Sequence, residues 1–350
     1  MHGKLKVSVI GSGNWGSCIA RICGDNTKNS KTFEKEIRMW VFEEKVNGRN
    51  LTEIINEQHE NIKYLPNVKL PDNVVAIPDV TEAAKDADIL VFVLPHQFVY
   101  KVCESLKGVI PKNCRAISLI KGLDFRDNEL ALFSEEIEKI LNIPCAALSG
   151  ANIASEVAEE KFSEATIACS NVDRDGPLFV ELFTASYFDI RVIGDWRGLQ
   201  VCGALKNVVA VGSGIVDGLK LGNNAKAAVI RGGLVEMRRF GKSFFGGVHT
   251  ETFFESCGVA DLITTCAGGR NRRVAEAFVT TGKPMDVLEK EMLNGQSLQG
   301  TLTAQEVHDF LKQRNKLDEF PFMTAVYRII YENQPPKIIV ECLRSKQSFN

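Results

Sequence analysis

The stretch best suited to chemistry is residues 199–209, Leu-Gln-Val-Cys-Gly-Ala-Leu-Lys-Asn-Val-Val, where Lys206 and Asn207 stand among small and apolar residues. An unpaired ammonium is costly to bury, so a lysine here must reach water, find a counter-charge or lose its proton easily. Such a group can stabilise a developing alkoxide and move a proton, which is what reduction of a carbonyl requires. Burial is expected to lower the pKa of Lys206, and a carboxylate such as Asp261 to limit that shift. A second dense stretch, residues 258–274, reads Gly-Val-Ala-Asp-Leu-Ile-Thr-Thr-Cys-Ala-Gly-Gly-Arg-Asn-Arg-Arg-Val. On a helix, Asp261 and Thr265 share one face. Gly268-Gly269 then ends the helix, and Arg270 and Asn271 open the next. There, free backbone N–H groups and a guanidinium suit a phosphate monoester. Arg272 and Arg273 read as solvated charges.

The N-terminus carries a second kind of signal. Gly11-Ser12-Gly13-Asn14-Trp15-Gly16 follows a strand over residues 4–10 and leads into a helix over 17–23. In that context the first glycine makes the tight turn, the second admits a pyrophosphate and the third lets helix pack on strand. Glu43-Glu44 follows a second strand, residues 37–42, later than the spacing of about twenty at which an acidic residue meets a ribose. The pair reads equally as ribose ligands or as solvated loop charges. No arginine immediately follows that strand, so NAD is favoured over NADP. Apolar strands over 89–94, 116–120 and 145–148 end at His96-Gln97-Phe98, Lys121-Gly122 and Ser149-Gly150-Ala151-Asn152, where ligands meet open α/β sheets.

These groups need a frame. Alternating strands and helices predict a Rossmann-like, doubly wound, mainly parallel sheet through residue 193, extended by strands over 162–168 and 189–193. Helices are expected over 46–61 and 81–87. From residue 194 the alternation stops, and Ala- and Gly-rich apolar segments predict an all-helical second domain over 194–350. Its helices include 224–240 and 321–332, with a polar loop over 294–300 and a frayed tail. Repeated glycines at 212, 214, 218 and 222 imply close helix packing or ligand approach, since each costs about 1 kcal/mol against alanine.

The chain of 350 residues suits two domains, and its net charge of −2 gives no field to attract nucleic acid. The ten cysteines show neither C-x-x-C nor zinc spacing, so no metal is expected, and reduced thiols in a cytoplasmic protein are. No signal peptide is read at the N-terminus, and no apolar run spans a membrane without a charge or several glycines. Competing functions are a related hydroxy-acid dehydrogenase and a non-catalytic NAD-sensing or scaffold protein. The presence of Lys206, Asn207, Asp261 and Arg270 together argues against the latter.

Across nearly its whole length the sequence resembles the cytosolic NAD-dependent glycerol-3-phosphate dehydrogenases of animals. The resemblance rests on Gly-Ser-Gly-Asn-Trp-Gly at 11–16, Leu-Pro-His-Gln-Phe at 94–98, Ile-Lys-Gly at 120–122 and Gly-Ala-Asn at 150–152. It continues through Cys-Gly-Ala-Leu-Lys-Asn at 202–207, Lys-Ala-Ala-Val-Ile-Arg at 226–231 and Gly-Gly-Arg-Asn-Arg at 268–272. It implies a cytoplasmic homodimer that interconverts sn-glycerol 3-phosphate and dihydroxyacetone phosphate with NAD, serving carbohydrate and glycerophospholipid metabolism. Lys206 would move the proton, with Lys121 and Asp261 assisting. Lys121, Asn152, Asn207, Thr265, Arg270 and Asn271 match substrate positions, and Asp261 lies among them. Gly11, Ser12, Gly13, Asn14, Trp15, Gly16, Phe42, Phe98, Ala154, Arg270 and Gln299 match cofactor positions, as does Ser297, which replaces a lysine usual in the family. Ala267, Asn223 and Gly232 are further departures, and none touches the expected proton donor.

Overall fold

Eight strands pair into one sheet: β1 (Leu5–Ile10), β2 (Phe33–Trp40), β3 (Val74–Ile77), β4 (Ile89–Phe92), β5 (Arg115–Ser118), β6 (Cys145–Ser149), β7 (Ser163–Ala168) and β8 (Phe188–Ile193). The computed structural model describes residues 3–126, 129–293 and 298–344. They fall into two compact units, residues 1–121 with 132–196, and residues 122–131 with 197–350. In the first unit the strand order across the sheet is β3-β2-β1-β4-β5-β6-β7-β8. All neighbours run parallel except β6 and β7, which pair antiparallel with Leu148 opposite Ile167.

The chain moves outward from β1 to β3 and then returns to lay β4 on the other side of β1, with Val7 opposite Ile89 and Ile10 opposite Phe92. This return creates the topological switch at whose carboxyl edge dinucleotides bind in such sheets. Both faces are covered, which is why β4 is apolar throughout. Val7, Val9, Ile89 and Val91 enter one core with Ile19, Cys23, Phe179 and Phe183. Ile10, Leu90 and Phe92 enter the other with Val99, Cys103, Phe133 and Ile137.

One expected element divides. Residues 46–61 do not form one helix: Lys45–Val46 pairs with Arg49–Asn50, and the helix covers only Leu51–Gln58. The cause is Asn47-Gly48, both at positive φ (52° and 82°), which is the turn chemistry of a tight hairpin.

The second unit contains the hairpin Asp124–Arg126/Glu129–Ala131 and a set of helices. Those that matter here are α2 (Trp196–Gly218), α3 (Asn223–Phe244), α4 (Asp261–Gly268), α5 (Arg270–Thr281), α6 (Gln299–Gln313) and α7 (Pro321–Tyr331), with α1 (Asn14–Thr27) belonging to the first unit. The 23-residue α2 is long and apolar enough to cross a membrane, yet 94% of its apolar window is buried inside the protein. Its glycines serve packing. A Cβ on Gly214 would collide with the Arg272 carbonyl oxygen, and one on Gly212 with the Phe322 ring. Helix α7 begins on Glu236 of α3, whose buried carboxylate accepts from Phe322 N (2.7 Å) and Met323 N (3.0 Å).

Candidate active site

In the second unit, Lys206 projects from the middle of α2, whose neighbouring residues are mostly small or apolar and buried. It is 6% exposed and Asp261, at the start of α4, is 3% exposed. The ammonium donates to the Asp261 carboxylate and to Thr265 Oγ1 at 2.9 Å. Thr265 in turn donates to the Asp261 backbone carbonyl at 2.6 Å. The two α4 residues lie one turn apart, so both meet the same lysine, as their spacing predicts. A π-helical turn, Ser256–Ala260, delivers the chain to Asp261, a local irregularity that the sequence reading did not anticipate. A carboxylate and a hydroxyl thus hold a buried ammonium, the arrangement that a proton-transferring lysine needs.

Beside it, Asn271 Nδ2 donates to Asn207 Oδ1 at 3.1 Å, and Gly300 N donates to Asn271 Oδ1 at 2.9 Å. The Asn271 amide therefore links α2, α5 and the first turn of α6. Gly300 is required for this approach, since a Cβ there would press on Asn207 O and Asn271 Oδ1. Gln299 is the first residue of α6; Ser297 and the rest of 294–297 lie outside the described residues. Arg270 is the first residue of α5 and is exposed, preceded by extended Gly269 (ψ 157°). The first helical bond runs from Arg273 N to Gly269 O (3.1 Å), so the N–H groups of Asn271 and Arg272 precede the ladder, the position at which helix N-termini meet anions.

In the first unit the glycine turn joins β1 to α1. Gly11 has φ +125°, and a Cβ there would strike the Val93 carbonyl; one on Gly16 would strike the Gly11 carbonyl. Only glycine fits either position. At Gly13 nothing lies within 4 Å of where a Cβ would sit, which leaves the backbone open beside the α1 N-terminus, as a pyrophosphate requires. Asn61, fully buried, braces this turn from a distant loop by donating to Ser12 O (2.8 Å) and Ser17 Oγ (2.9 Å). Asn14 donates to Tyr64 O (2.8 Å), and Trp15 stacks edge-on against Phe188. The sequence carried no signal for Asn61, because its partners lie more than forty residues away. Phe42 and Phe98, at the ends of β2 and β4, are 73% and 48% exposed, and Ala154 opens a short helix, Ala154–Ala158. Exposed rings at the carboxyl edge of a sheet fit the faces of a planar cofactor.

Two buried polar atoms at the end of β6, Ser149 Oγ and Asn152 Nδ2, have no partner among the described residues. An orphaned buried amide costs about 1–3 kcal/mol, and its presence at a ligand edge fits a hydrogen bond to a bound molecule. Ser149 stands at one of the strand ends where the sequence places ligands. Lys121 lies nearby, with Nζ 3.5 Å from Gly150 O. His96 packs its ring against Phe133 (5.9 Å). Glu43 is engaged by the Thr52 hydroxyl and backbone N–H, and Glu44 by Lys63. Both acids therefore have structural partners in addition to either role expected of them.

A family model for the N-terminus of NAD-dependent glycerol-3-phosphate dehydrogenase matches residues 6–175, and one for the C-terminus of the same enzymes matches 195–341. The chain is 57% identical over 346 residues to cytoplasmic glycerol-3-phosphate dehydrogenase [NAD(+)] of Rattus norvegicus, covering 99% of both chains. It is 56% identical over 342 residues to glycerol-3-phosphate dehydrogenase 1-like protein of Homo sapiens, covering 97% of both. A solved glycerol-3-phosphate dehydrogenase from Saccharomyces cerevisiae superposes with a TM-score of 0.94 at 48% identity, over 98% of this chain and 100% of that one. With its motifs, its strand order and its buried lysine cluster, the chain belongs to the NAD-dependent glycerol-3-phosphate dehydrogenase family.

Proposed function

We propose that this protein is a cytoplasmic oxidoreductase that interconverts sn-glycerol 3-phosphate and dihydroxyacetone phosphate with NAD, and that Lys206 is its proton donor and acceptor. The observation that carries the lysine assignment is the buried Lys206–Asp261–Thr265 cluster. When bound, the nicotinamide would donate the hydride as NADH in ketone reduction and accept it as NAD+ in alcohol oxidation. When the substrate carbonyl becomes an alkoxide, the Lys206 ammonium stabilises the charge and delivers a proton to that oxygen. Asp261 holds the ammonium in place, and Thr265 fixes its direction. Arg270, with the first turn of α5, takes the phosphate. Asn271 and Asn207, already bonded to each other, set the spacing of that turn from Lys206 and offer their remaining polar capacity to substrate. Lys121 and Asn152 contribute a cation and an unsatisfied amide. The glycine turn with Ser12, Asn14 and Trp15, together with Phe42, Phe98, Ala154, Arg270, Ser297 and Gln299, holds NAD. The domain division belongs to this reading: residues 1–193 bind the cofactor and 194–350 carry the substrate and the chemistry. The working form is a homodimer.

The experiment is a nicotinamide absorbance assay. NADH oxidation is expected with dihydroxyacetone phosphate, and none with a 3-keto acid. The reverse preference would reassign the enzyme to hydroxy-acid chemistry.

A further inference from the structure

Asp217 stands one residue before the end of α2 and belongs to none of the groups above. Its Oδ2 accepts from Lys226 Nζ at 2.7 Å and from Arg272 Nε at 2.6 Å. Lys226 lies in the first turn of α3 and Arg272 in the first turn of α5, so one carboxylate oxygen joins three helices. Arg272 also pairs with Glu276 one turn on (3.0 Å). Around this point the helices pack with no room for side chains at the glycines: a Cβ on Gly214 would strike Arg272 O, and one on Gly218 would press on Val279. All three side chains are about four-fifths buried, which makes the ion pairs worth more than surface ones. Burial by itself would raise the Asp217 carboxyl, but the hydrogen bonds from Lys226 and Arg272 hold it below its ordinary range.

From its sequence context Arg272 is expected to be a solvated charge. Instead it fixes the turn in which Arg270 stands, two residues earlier. We infer that Asp217 is a positioning residue for phosphate recognition, clamping the first turn of α5 through Arg272 so that this turn, with Arg270 at its start, faces the substrate phosphate. Asp217 does not touch the reacting atoms. This inference rests on the phosphate role proposed for Arg270.

The test compares dihydroxyacetone phosphate with unphosphorylated dihydroxyacetone in Asp217→Asn, Arg272→Gln and the double variant, with Arg270→Ala beside them. Asp217→Asn should raise KM for the phosphorylated substrate about tenfold, leave kcat within about threefold, and leave kcat/KM for dihydroxyacetone within about twofold. The double variant should be no worse than the worse single one, because both break the same link. Equal losses on both substrates, or additive losses in the double variant, overturn the clamp; if Asp217→Asn does not fold, the substrate comparison in Arg272→Gln decides on the same terms. Should Arg270→Ala discriminate between the substrates while neither clamp variant does, the inference fails and the phosphate reading stands. Should Arg270→Ala not discriminate, both fail.

Discussion

Lys206 on α2 donates to the Asp261 carboxylate on α4 across 55 residues of sequence, with both side chains almost wholly buried. A buried pair of this kind contributes little to net stability compared with apolar packing, because desolvation offsets the attraction. The proton-transfer role proposed for Lys206 gives such a costly pair a purpose inside an apolar helix.

The phosphate assignment predicts a substrate-dependent loss. Arg270→Ala should reduce kcat/KM for dihydroxyacetone phosphate by at least about a hundredfold, corresponding to about 3 kcal/mol of charge-assisted hydrogen bonding. Its effect on unphosphorylated dihydroxyacetone should be within about threefold. Steady-state kinetics with both substrates measures this, and equal losses would give Arg270 to the cofactor or the fold.

Cofactor choice should favour NADH over NADPH by at least about tenfold in kcat/KM, a discrimination of about 1.4 kcal/mol. Glu43 is held by Thr52 at the start of the helix Leu51–Gln58, so its main contribution is to that helix. Glu43→Gln should lower stability by about 0.5–2 kcal/mol, as for other lost helix caps, and leave the NADH/NADPH ratio within about threefold. A collapse of that ratio in the variant would restore Glu43 as a ribose ligand.

Stability should fall as pH rises from about 4.5 to neutrality. Burial pushes the Glu236 carboxyl up to about 7, against the two backbone N–H bonds from Met323 and Phe322 and the charge of Arg239, which pull it down. The folded state therefore binds this proton more tightly than the unfolded state does. The contribution is fully present below the ordinary carboxyl range near 4.5 and is lost as pH rises through about 7, amounting to at most about 3 kcal/mol. Thermal melts of Glu236→Gln should show a flatter dependence between pH 5 and 8 than the parent protein. Parallel curves would place the slope elsewhere, with Glu306 next, since burial and the neighbouring Asp124 charge push it to about 7 as well.

Assembly is read by light scattering at micromolar concentration. A homodimer predicts twice the 38.7 kDa chain mass, and a 38.7 kDa species alone excludes a stable dimer.

Much of this was legible because the decisive signals are local. Gly11, Gly13 and Gly16 sit within six residues between a strand and a helix, and Asp261 and Thr265 fall on one face by helical period alone. The break at Gly268-Gly269 also marks itself, so the start of α5 at Arg270 could be placed from sequence. Asn47-Gly48 was equally local and was passed over; it turned one expected helix into a hairpin followed by a shorter helix. What the sequence did not disclose joins distant positions. Asn61 braces the glycine turn from more than forty residues away, and Asp217 meets Arg272 across 55. Neither pairing has a period or a motif, because each arises only when packed helices bring particular side chains together. The orphaned Asn152 amide was placed correctly at a strand end, but its lack of a partner is a property of the folded site.

The most direct measurement is the turnover of Lys206→Met. Loss of the ammonium leaves Asp261 buried without its partner, which costs about 3–5 kcal/mol. The double variant Lys206→Met/Asp261→Asn should recover much of that stability while recovering no activity. With NADH binding retained by fluorescence titration, kcat for dihydroxyacetone phosphate is predicted to fall at least about a hundredfold in the single variant, the low end for losing general acid catalysis. His96→Gln should cost much less. A folded, NADH-binding Lys206→Met enzyme with near-normal turnover, or a dead but folded His96→Gln enzyme, would contradict the assignment of the proton to Lys206.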